Sequence, residues 1–253
     1  MAEPASDPDY GIPTAWPWAV VERDHELQNP TSAEKIRQLG EHLRLGPGSR
    51  VLDLASGAGG PARILARAFR CHVTCVELLD EFVARARASA SAVGLQQLID
   101  VRQGAARAVV LVDGGWDVAL CLGAAFVWGH VGDAAATLAP AVPPGGHVAI
   151  GEPYWRRWPL PEGANDHGYV DLQATVERFE ASGLALTGLI ASSEDDWDRY
   201  ESLHWRALEE WLAVQPDDAE HAAIRARHES LRRHYVAFQR AWLGWAILVG
   251  RRP

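Results

Sequence analysis

The sequence has 253 residues, of which 48% are apolar and 23% are charged, and its formal net charge is −9. This composition is typical of a globular protein with ample core material, and the negative charge argues against a nucleic-acid-binding surface, which needs clustered Lys and Arg. The apolar runs are shorter than the about 20 residues that cross a membrane, and the N-terminus lacks a signal-peptide pattern. We therefore expect a cytoplasmic protein that binds neither nucleic acid nor membranes.

The cysteines show no spacing typical of a zinc site. Cys71, Cys75 and Cys121 flank or lie in apolar runs, so we expect free buried thiols and no metal. One lysine, Lys35, stands against 23 arginines, which indicates a GC-rich gene and favours a bacterial source.

Residues 1–45 are predicted to cover the domain. The Trp-Pro-Trp segment at 16–18 is costly to leave in water and is therefore expected to pack on the domain. This packing could be purely structural, or Trp18 could form a wall of a substrate pocket. Residues 31–34, Thr-Ser-Ala-Glu, have a capping-box pattern and predict the start of a helix with Ile36, Leu39 and Leu43 facing inward.

Residues 51–61 have the pattern of a buried strand, an acid and a small-residue loop, which leads into a helical pattern over 62–70. Glycines at such a junction let backbone N–H groups approach a ligand closely, although they could also serve only a tight turn. A second strand, 72–76, ends at Glu77, 24 residues beyond Asp53, close to where an acid that reaches ribose hydroxyls is expected. The two motifs together indicate a doubly wound α/β domain with a nucleotide-like ligand.

Strand and helix patterns alternate along the rest of the chain. Gly94 and Gly183 follow two of the helices. The predicted elements are a helix over 80–93, strands over 98–102 and 116–122, a strand ending at 150, a helix over 171–182, a strand over 184–190, two amphipathic helices within 194–241 and a last strand over 243–249.

These motifs resemble those of the class I S-adenosylmethionine (SAM)-dependent methyltransferases. The resemblance rests on four motifs in the family's order: the acid and glycine loop at 53–59, the acid Glu77, the fourth strand at 116–122 and the Pro-Gly-Gly turn within 139–150. Ala55 replaces the first glycine of the family's loop.

The resemblance implies a three-layer Rossmann-like α/β fold with a seven-stranded sheet of order 3-2-1-4-5-7-6, in which the last strand is antiparallel. It implies a single domain, 1–253, in which residues 46–151 form a cofactor-binding half and residues 152–253 form a substrate half with a helical insert at 194–241.

The resemblance also implies SAM as the cofactor and S-adenosylhomocysteine (SAH) as its product. The backbone of 55–59 would face the methionine part, Glu77 would hold the ribose hydroxyls, and Asp53 would fix the loop or reach the amine through water. Leu78 and 104–105 would line the adenine, although this chain lacks the acid that the family often has after Gly104. The expected cofactor-binding residues are Asp53, Ala55, Ser56, Gly57, Gly59, Glu77, Leu78, Gly104, Ala105, Cys121 and Leu122.

Two polar residues after the fourth and fifth strands are candidates for catalysis. His130 could act as a base, or it could be a solvated or helix-capping residue. Glu152 could orient an amine, accept a proton or only cap a neighbouring loop. Tyr154 and Trp155, which follow Glu152, are candidate walls of a substrate pocket.

The two helices predicted within 194–241 could form a lid or a dimer interface. Each apolar stripe contains one histidine, His204 or His228, and each histidine could be a hydrogen-bonded core residue or could face the substrate pocket.

We therefore expect SAM-dependent methyl transfer to an oxygen or nitrogen of a small-molecule acceptor. Ala55 and Ala105 motivate an alternative, a SAM- or SAH-binding protein of the same fold without methyl transfer. An NAD-dependent oxidoreductase is disfavoured, because the loop lacks the third glycine of that fingerprint.

Overall fold

The computed structural model describes residues 16–214 and 219–253, so part of the expected cover (1–15) and of the expected insert (215–218) lie outside the described residues. Its centre is a seven-stranded sheet of order β3-β2-β1-β4-β5-β7-β6. The strands are β1 (Arg50–Leu54), β2 (His72–Glu77), β3 (Ile99–Gln103), β4 (Val118–Leu122), β5 (His147–Trp155), β6 (Ala185–Ala191) and β7 (Leu243–Arg251). Strand β7 is antiparallel to both β5 and β6, while the pairs among β1–β5 are parallel. The expected strand order is confirmed.

Helices cover both faces of the sheet. They are α1 (Trp18–Val21), α2 (Ala33–His42), α3 (Gly60–Phe69), α4 (Asp80–Ala92), α5 (Val131–Leu138), α6 (Leu172–Glu180), α7 (Glu194–Ala213), α8 (Ala219–His234) and the short α9 (Arg240–Trp242). Single 3-10 turns lie at Ala106–Ala108, Ala125–Val127 and Ala139–Ala141, and a π-helical turn at Tyr235–Gln239 joins α8 to α9.

The core consists of two apolar layers, one on each face of the sheet. Strand β4 is buried along its whole length, and its Leu120 and Cys121 point into opposite layers. Central parallel strands that are covered on both faces are expected to be continuous apolar runs. This explains why β1, β2 and β4 are recognisable in the sequence.

The N-cap of α2 differs from the expectation. Ser32, and not Thr31, caps the helix, because the Ser32 hydroxyl accepts a hydrogen bond from the backbone N–H of Lys35. A complete capping box occurs instead at the start of α7, between Ser193 and Asp196.

Helices α7 and α8 form the region expected as an insert. Trp197 and Leu208 of α7 are buried, as are Ile224 and His228 of α8, whereas Leu231 is exposed although the helical spacing predicts an inward position. None of the helices in the described ranges is long and apolar enough to cross a membrane.

Candidate active site

The loop between β1 and α3 contains three residues in the left-handed region. Ala55, Gly57 and Gly59 have φ values of 54°, 56° and 71°. Glycine adopts this conformation without steric cost, whereas Ala55 has a Cβ and pays about 1 kcal/mol for it. With these left-handed residues at alternate positions, the loop crosses the carboxyl end of the sheet and enters α3. Gly59 is the N-cap of this helix.

Glu77, at the end of β2, holds this loop. One oxygen of its buried carboxylate accepts a hydrogen bond from the Gly57 N–H at 2.8 Å, and the other accepts from the N–H groups of Leu78 and Leu79 at 2.8 and 2.9 Å. Two carboxylate oxygens offer about four acceptor positions. Glu77 therefore retains acceptor capacity for a hydroxyl-bearing ligand at the edge of the sheet.

Asp53 lies fully buried beneath the loop. Its Oδ2 and the nearby Ser56 Oγ have no hydrogen-bond partner among the described residues. Burial, reinforced by the negative charge of Glu77, raises the pKa of Asp53 to about 7. A buried polar atom without a partner is costly and indicates a group that a ligand or water would satisfy.

The end of β4 forms the opposite wall. Cys121 is buried, and burial raises the pKa of its thiol. The Leu122 carbonyl accepts a hydrogen bond from Asn29 Nδ2 at 2.7 Å. Gly123 has φ 96°, and a Cβ at this position would collide with the Asn29 side chain.

A segment that was not singled out from the sequence closes this edge. We call residues 22–29, between α1 and α2, the cover segment. Gln28 Oε1 accepts a hydrogen bond from the Ala58 N–H at 2.5 Å, and it occupies the space that a Cβ at Gly57 would need. Gln28 and Asn29 thus reach the β1 and β4 sides of the site. Their contacts join residues far apart in the chain, so no periodic pattern reveals them.

The residues expected around adenine lie at the ends of β2 and β3. Leu78 is exposed, and the Gly104 N–H donates to the Glu77 carbonyl at 2.9 Å. Gly104 and Ala105 line a cavity of about 320 Å³ together with Val76 and Trp116.

The two candidate catalytic residues meet at the N-terminus of α5. Glu152 lies within β5 and not after it, because the strand continues past the predicted end at 150 to Trp155, where it still pairs with β7. His130 is its N-cap, and its Nδ1 accepts from the Gly132 and Asp133 N–H groups at 3.1 and 3.4 Å. Burial raises the pKa of Glu152 to about 7, although its carboxylate accepts a hydrogen bond from the Val131 N–H. Glu152 can therefore hold or release a proton near neutral pH, whereas one ring nitrogen of His130 is already used.

The expected aromatic walls differ in exposure. Trp155 is buried and donates through Nε1 to the Asp166 carbonyl at 3.1 Å. Tyr154 is buried against Gly244, where a Cβ would collide with its ring. Trp18, in the short helix α1, is 45% exposed.

The two candidate histidines, His204 of α7 and His228 of α8, lie in different environments. His204 Nε2 is 2.9 Å from Glu22 Oε1, so His204 contacts the cover segment. His228 Nε2 is 3.1 Å from Glu209 Oε1, between α7 and α8. The structure brings only His204 to the segment that borders the cofactor loop.

Comparisons with known proteins agree with this geometry. The family described as "Methyltransferase domain" matches residues 51–146. The uncharacterised Escherichia coli protein YjhP is 31% identical over 237 residues, which cover 91% of this chain and 95% of YjhP. SAM-dependent methyltransferases from Thiobacillus denitrificans and Geobacter sulfurreducens, both crystallised with SAH, are each 31% identical with a TM-score of 0.86. They match 93% of this chain and 98% and 97% of their own chains.

The residues of this chain fit the same cofactor. Asp53 Oδ2 and Ser56 Oγ are buried and lack hydrogen-bond partners within the described part of the chain, and a side chain at Gly57 or Gly123 would collide with Gln28 or Asn29, which border the space between β1 and β4. The carboxyl edge of a parallel sheet, where the strand order reverses between β1 and β4, is the usual ligand site of such folds. The chain therefore belongs to the class I SAM-dependent methyltransferases, and SAM is its cofactor.

Proposed function

We propose that this protein transfers the methyl group of SAM to an oxygen or nitrogen of a small-molecule acceptor. The observation that carries the proposal is the loop held by Glu77 beside Asp53, whose buried Oδ2 has no hydrogen-bond partner among the described residues. Two relatives of this chain are crystallised with SAH. SAM supplies a methyl group that its sulfonium has already activated, so the protein needs mainly to align the acceptor and exclude water.

The roles of the binding residues are part of this proposal. Glu77 accepts hydrogen bonds from the ribose hydroxyls, and the backbone of 55–59 faces the methionine part. Leu78, Gly104 and Ala105 border the adenine. Asp53 and Ser56 hold the amino-acid end, and Cys121 and Leu122 form the wall on the β4 side.

We further propose that Glu152 accepts the proton when the acceptor is a hydroxyl or an ammonium group. Its buried carboxyl has a pKa of about 7, which suits a general base near neutral pH. His130 is the second candidate for this role. Its Nδ1 caps α5, so the proton would be accepted by Nε2, which lies 3.4 Å from Asp133 Oδ2.

The acceptor site is proposed to be formed by residues 152–253 together with Trp18 of the N-terminal cover. Tyr154, Trp155 and His204 would lie near the acceptor, and Trp18 and His228 further out. The abundance of tryptophan, 11 residues, favours an apolar, aromatic or cationic acceptor, since tryptophan faces attract cations. A cytoplasmic location, a bacterial source and a homodimer contact through α7 and α8 stay predictions.

The experiment is SAH release from SAM across a panel of small amines and hydroxyl compounds, with mass spectrometry of the methylated product. The matched variants are Glu152→Gln, which keeps the shape, and Glu162→Gln, an exposed control in a loop. The proposal predicts that the wild type forms a methylated product. Glu152→Gln should form this product at least about 100-fold more slowly, with unchanged affinity for SAH. Tight SAH binding without any product would favour the alternative, a SAM-binding protein without methyl transfer.

A further inference from the structure

Three metal-ligand side chains converge outside the cofactor site. Glu22 and His25, on the cover segment, are buried, and His204 approaches them from α7 with 15% of its side chain exposed. Glu22 Oε1 lies 2.9 Å from His204 Nε2, and Glu22 Oε2 lies 3.5 Å from His25 Nδ1. One donor atom from each of the three residues lies within 4.8 Å of the other two.

The hydrogen bonds of His25 define its tautomer. His25 Nε2 lies 2.9 Å from the Tyr200 carbonyl oxygen, which can only accept, so Nε2 carries the proton. The His25 ring is fully buried, which favours its neutral form. Nδ1 therefore presents a lone pair.

This lone pair faces a carboxylate. Neither His25 Nδ1 nor Glu22 Oε2 has a hydrogen-bond partner among the described residues. Two electron-rich atoms thus lie opposite each other in a buried space, an arrangement that a cation between them would stabilise.

We propose that Glu22, His25 and His204 bind one divalent transition-metal ion, with Zn²⁺ as the expected ion. Imidazole and carboxylate donors suit Zn²⁺. Bonds of about 2.0–2.1 Å in tetrahedral geometry place donor atoms about 3.3–3.4 Å apart. Each histidine lies close to this distance from a different oxygen of Glu22, His204 at 2.9 Å from Oε1 and His25 at 3.5 Å from Oε2, and a small closing movement would bring one donor atom of each residue, now within 4.8 Å of the others, to this spacing. On binding, His204 Nε2 releases its proton to solvent and becomes a ligand.

The surroundings support a metal site. The Tyr200 carbonyl orients the His25 ring from behind, as second-shell acceptors do in metal sites. Arg85 also lies beside the cluster, but its guanidinium donates to the backbone carbonyls of Glu22 and His25, not to the ligand atoms. Three protein ligands leave a fourth position for water or another donor.

The ion would clamp the cover segment to α7. Glu22 and His25 lie at the start of this segment, and Gln28 and Asn29 at its end contact the cofactor site. Because the ion would bind only when α7 and the segment are together, it is expected to raise the melting temperature of the folded protein. The sequence did not indicate this site, because His204 is far from the other two ligands along the chain.

The test uses the full chain without an affinity tag, stripped with a chelator and titrated with Zn²⁺ against a chromophoric competitor. Co²⁺ absorption in the visible range reports the ligand geometry. The ligand variants are His25→Gln and His204→Asn. The controls are Glu26→Gln, which removes an exposed carboxylate of the cover segment, and His72→Asn, which removes an exposed histidine elsewhere.

We expect one equivalent of Zn²⁺ and a four-coordinate Co²⁺ spectrum. Each ligand variant should bind at least about 100-fold more weakly, since loss of even a second-shell partner costs 10–100-fold, and both controls should bind normally. Circular dichroism establishes folding. If His25→Gln does not fold, the test rests on the Zn²⁺ affinity of His204→Asn, because His204 is more exposed. A folded wild type that binds no ion, or a folded His204→Asn with unchanged affinity, would overturn the proposal.

Discussion

Gln28 Oε1 lies 2.5 Å from the backbone nitrogen of Ala58, so the cover segment is hydrogen-bonded directly to the glycine loop. Asn29, the next residue, donates a hydrogen bond from Nδ2 to the Leu122 carbonyl on the other side of the site. The segment before α2 thus joins the two loops between which a cofactor binds in this fold.

Gln28→Ala tests whether this segment holds the cofactor site closed. Loss of the bond to Ala58 should weaken SAH binding by about 1 kcal/mol, roughly 5-fold, the net value of one hydrogen bond. The measurement is calorimetric titration, with Gln38→Ala on the exposed face of α2 as the control. Tighter binding by Gln28→Ala would mean that Gln28 competes with the cofactor, contrary to the closing role.

Glu77→Gln tests the proposed ribose contact. The NH₂ group of the new glutamine would face backbone N–H groups that now donate to the carboxylate, those of Gly57 or of Leu78 and Leu79. The substitution also removes acceptor capacity for hydroxyls. We expect SAM affinity to fall by about 1–3 kcal/mol. The exposed Glu81→Gln on α4 serves as the control, and equal affinities for the two variants would refute the ribose assignment.

Gly57→Val should abolish SAH binding. The backbone at this position has φ 56°, which β-branched residues avoid, and the new Cβ would collide with Gln28. Gly46→Ala is the control, because nothing lies within 4 Å of a Cβ there. Binding is measured by the quenching of tryptophan fluorescence, after circular dichroism has established folding. Retained affinity in a folded Gly57→Val would show that the loop does not contact the cofactor.

Asp53 makes the stability of the ligand-free protein depend on pH. Its pKa in the folded protein is about 7 against an ordinary value of 3.8, so between these values the folded state keeps a proton that the unfolded chain releases. The free energy of unfolding should therefore fall as the pH rises from about 4 to 7.

Asp53→Asn removes this dependence. Between pH 5 and pH 8, the free energy of unfolding of the variant should rise by about 1–3 kcal/mol relative to that of the wild type. Urea denaturation at both pH values measures this change. Asp117→Asn, an exposed acid at the other end of the sheet, should show no comparable gain. If the free energies of unfolding of the wild type and Asp53→Asn differed by the same amount at both pH values, the raised pKa of Asp53 would be contradicted.

The fold followed from the sequence to a large extent. Strands such as β4 are uninterrupted apolar runs, and Gly94 and Gly183 follow the ends of their helices with positive φ. The strand order came from the resemblance to the methyltransferases and is confirmed. The cap of α2 was placed one residue early, because Thr31 and Ser32 can both cap a helix and only the packing, which buries Thr31, distinguishes them.

Spacing in the sequence relates only those candidate site residues that lie close together, and the others, such as Gly104 and Cys121, came from the resemblance to the methyltransferases. Asp53, Gly57 and Gly59 share one loop, and Glu77 ends the neighbouring strand, so spacing alone relates them. The contacts of Gln28 with Ala58 and of Glu22 with His204 arise from tertiary packing, and short-range patterns contain no information about them. His130 illustrates a further limit, because a histidine that caps a helix and one that is free to act as a base look alike in sequence.

The most direct test of the account is calorimetric titration of the wild-type protein with SAM, SAH and NADH in parallel. We predict micromolar binding of SAM and SAH with one site per chain, and no binding of NADH. Absence of binding by both adenosyl ligands, in a protein that circular dichroism shows to be folded, would contradict the assignment of the loop between β1 and α3 as a cofactor site.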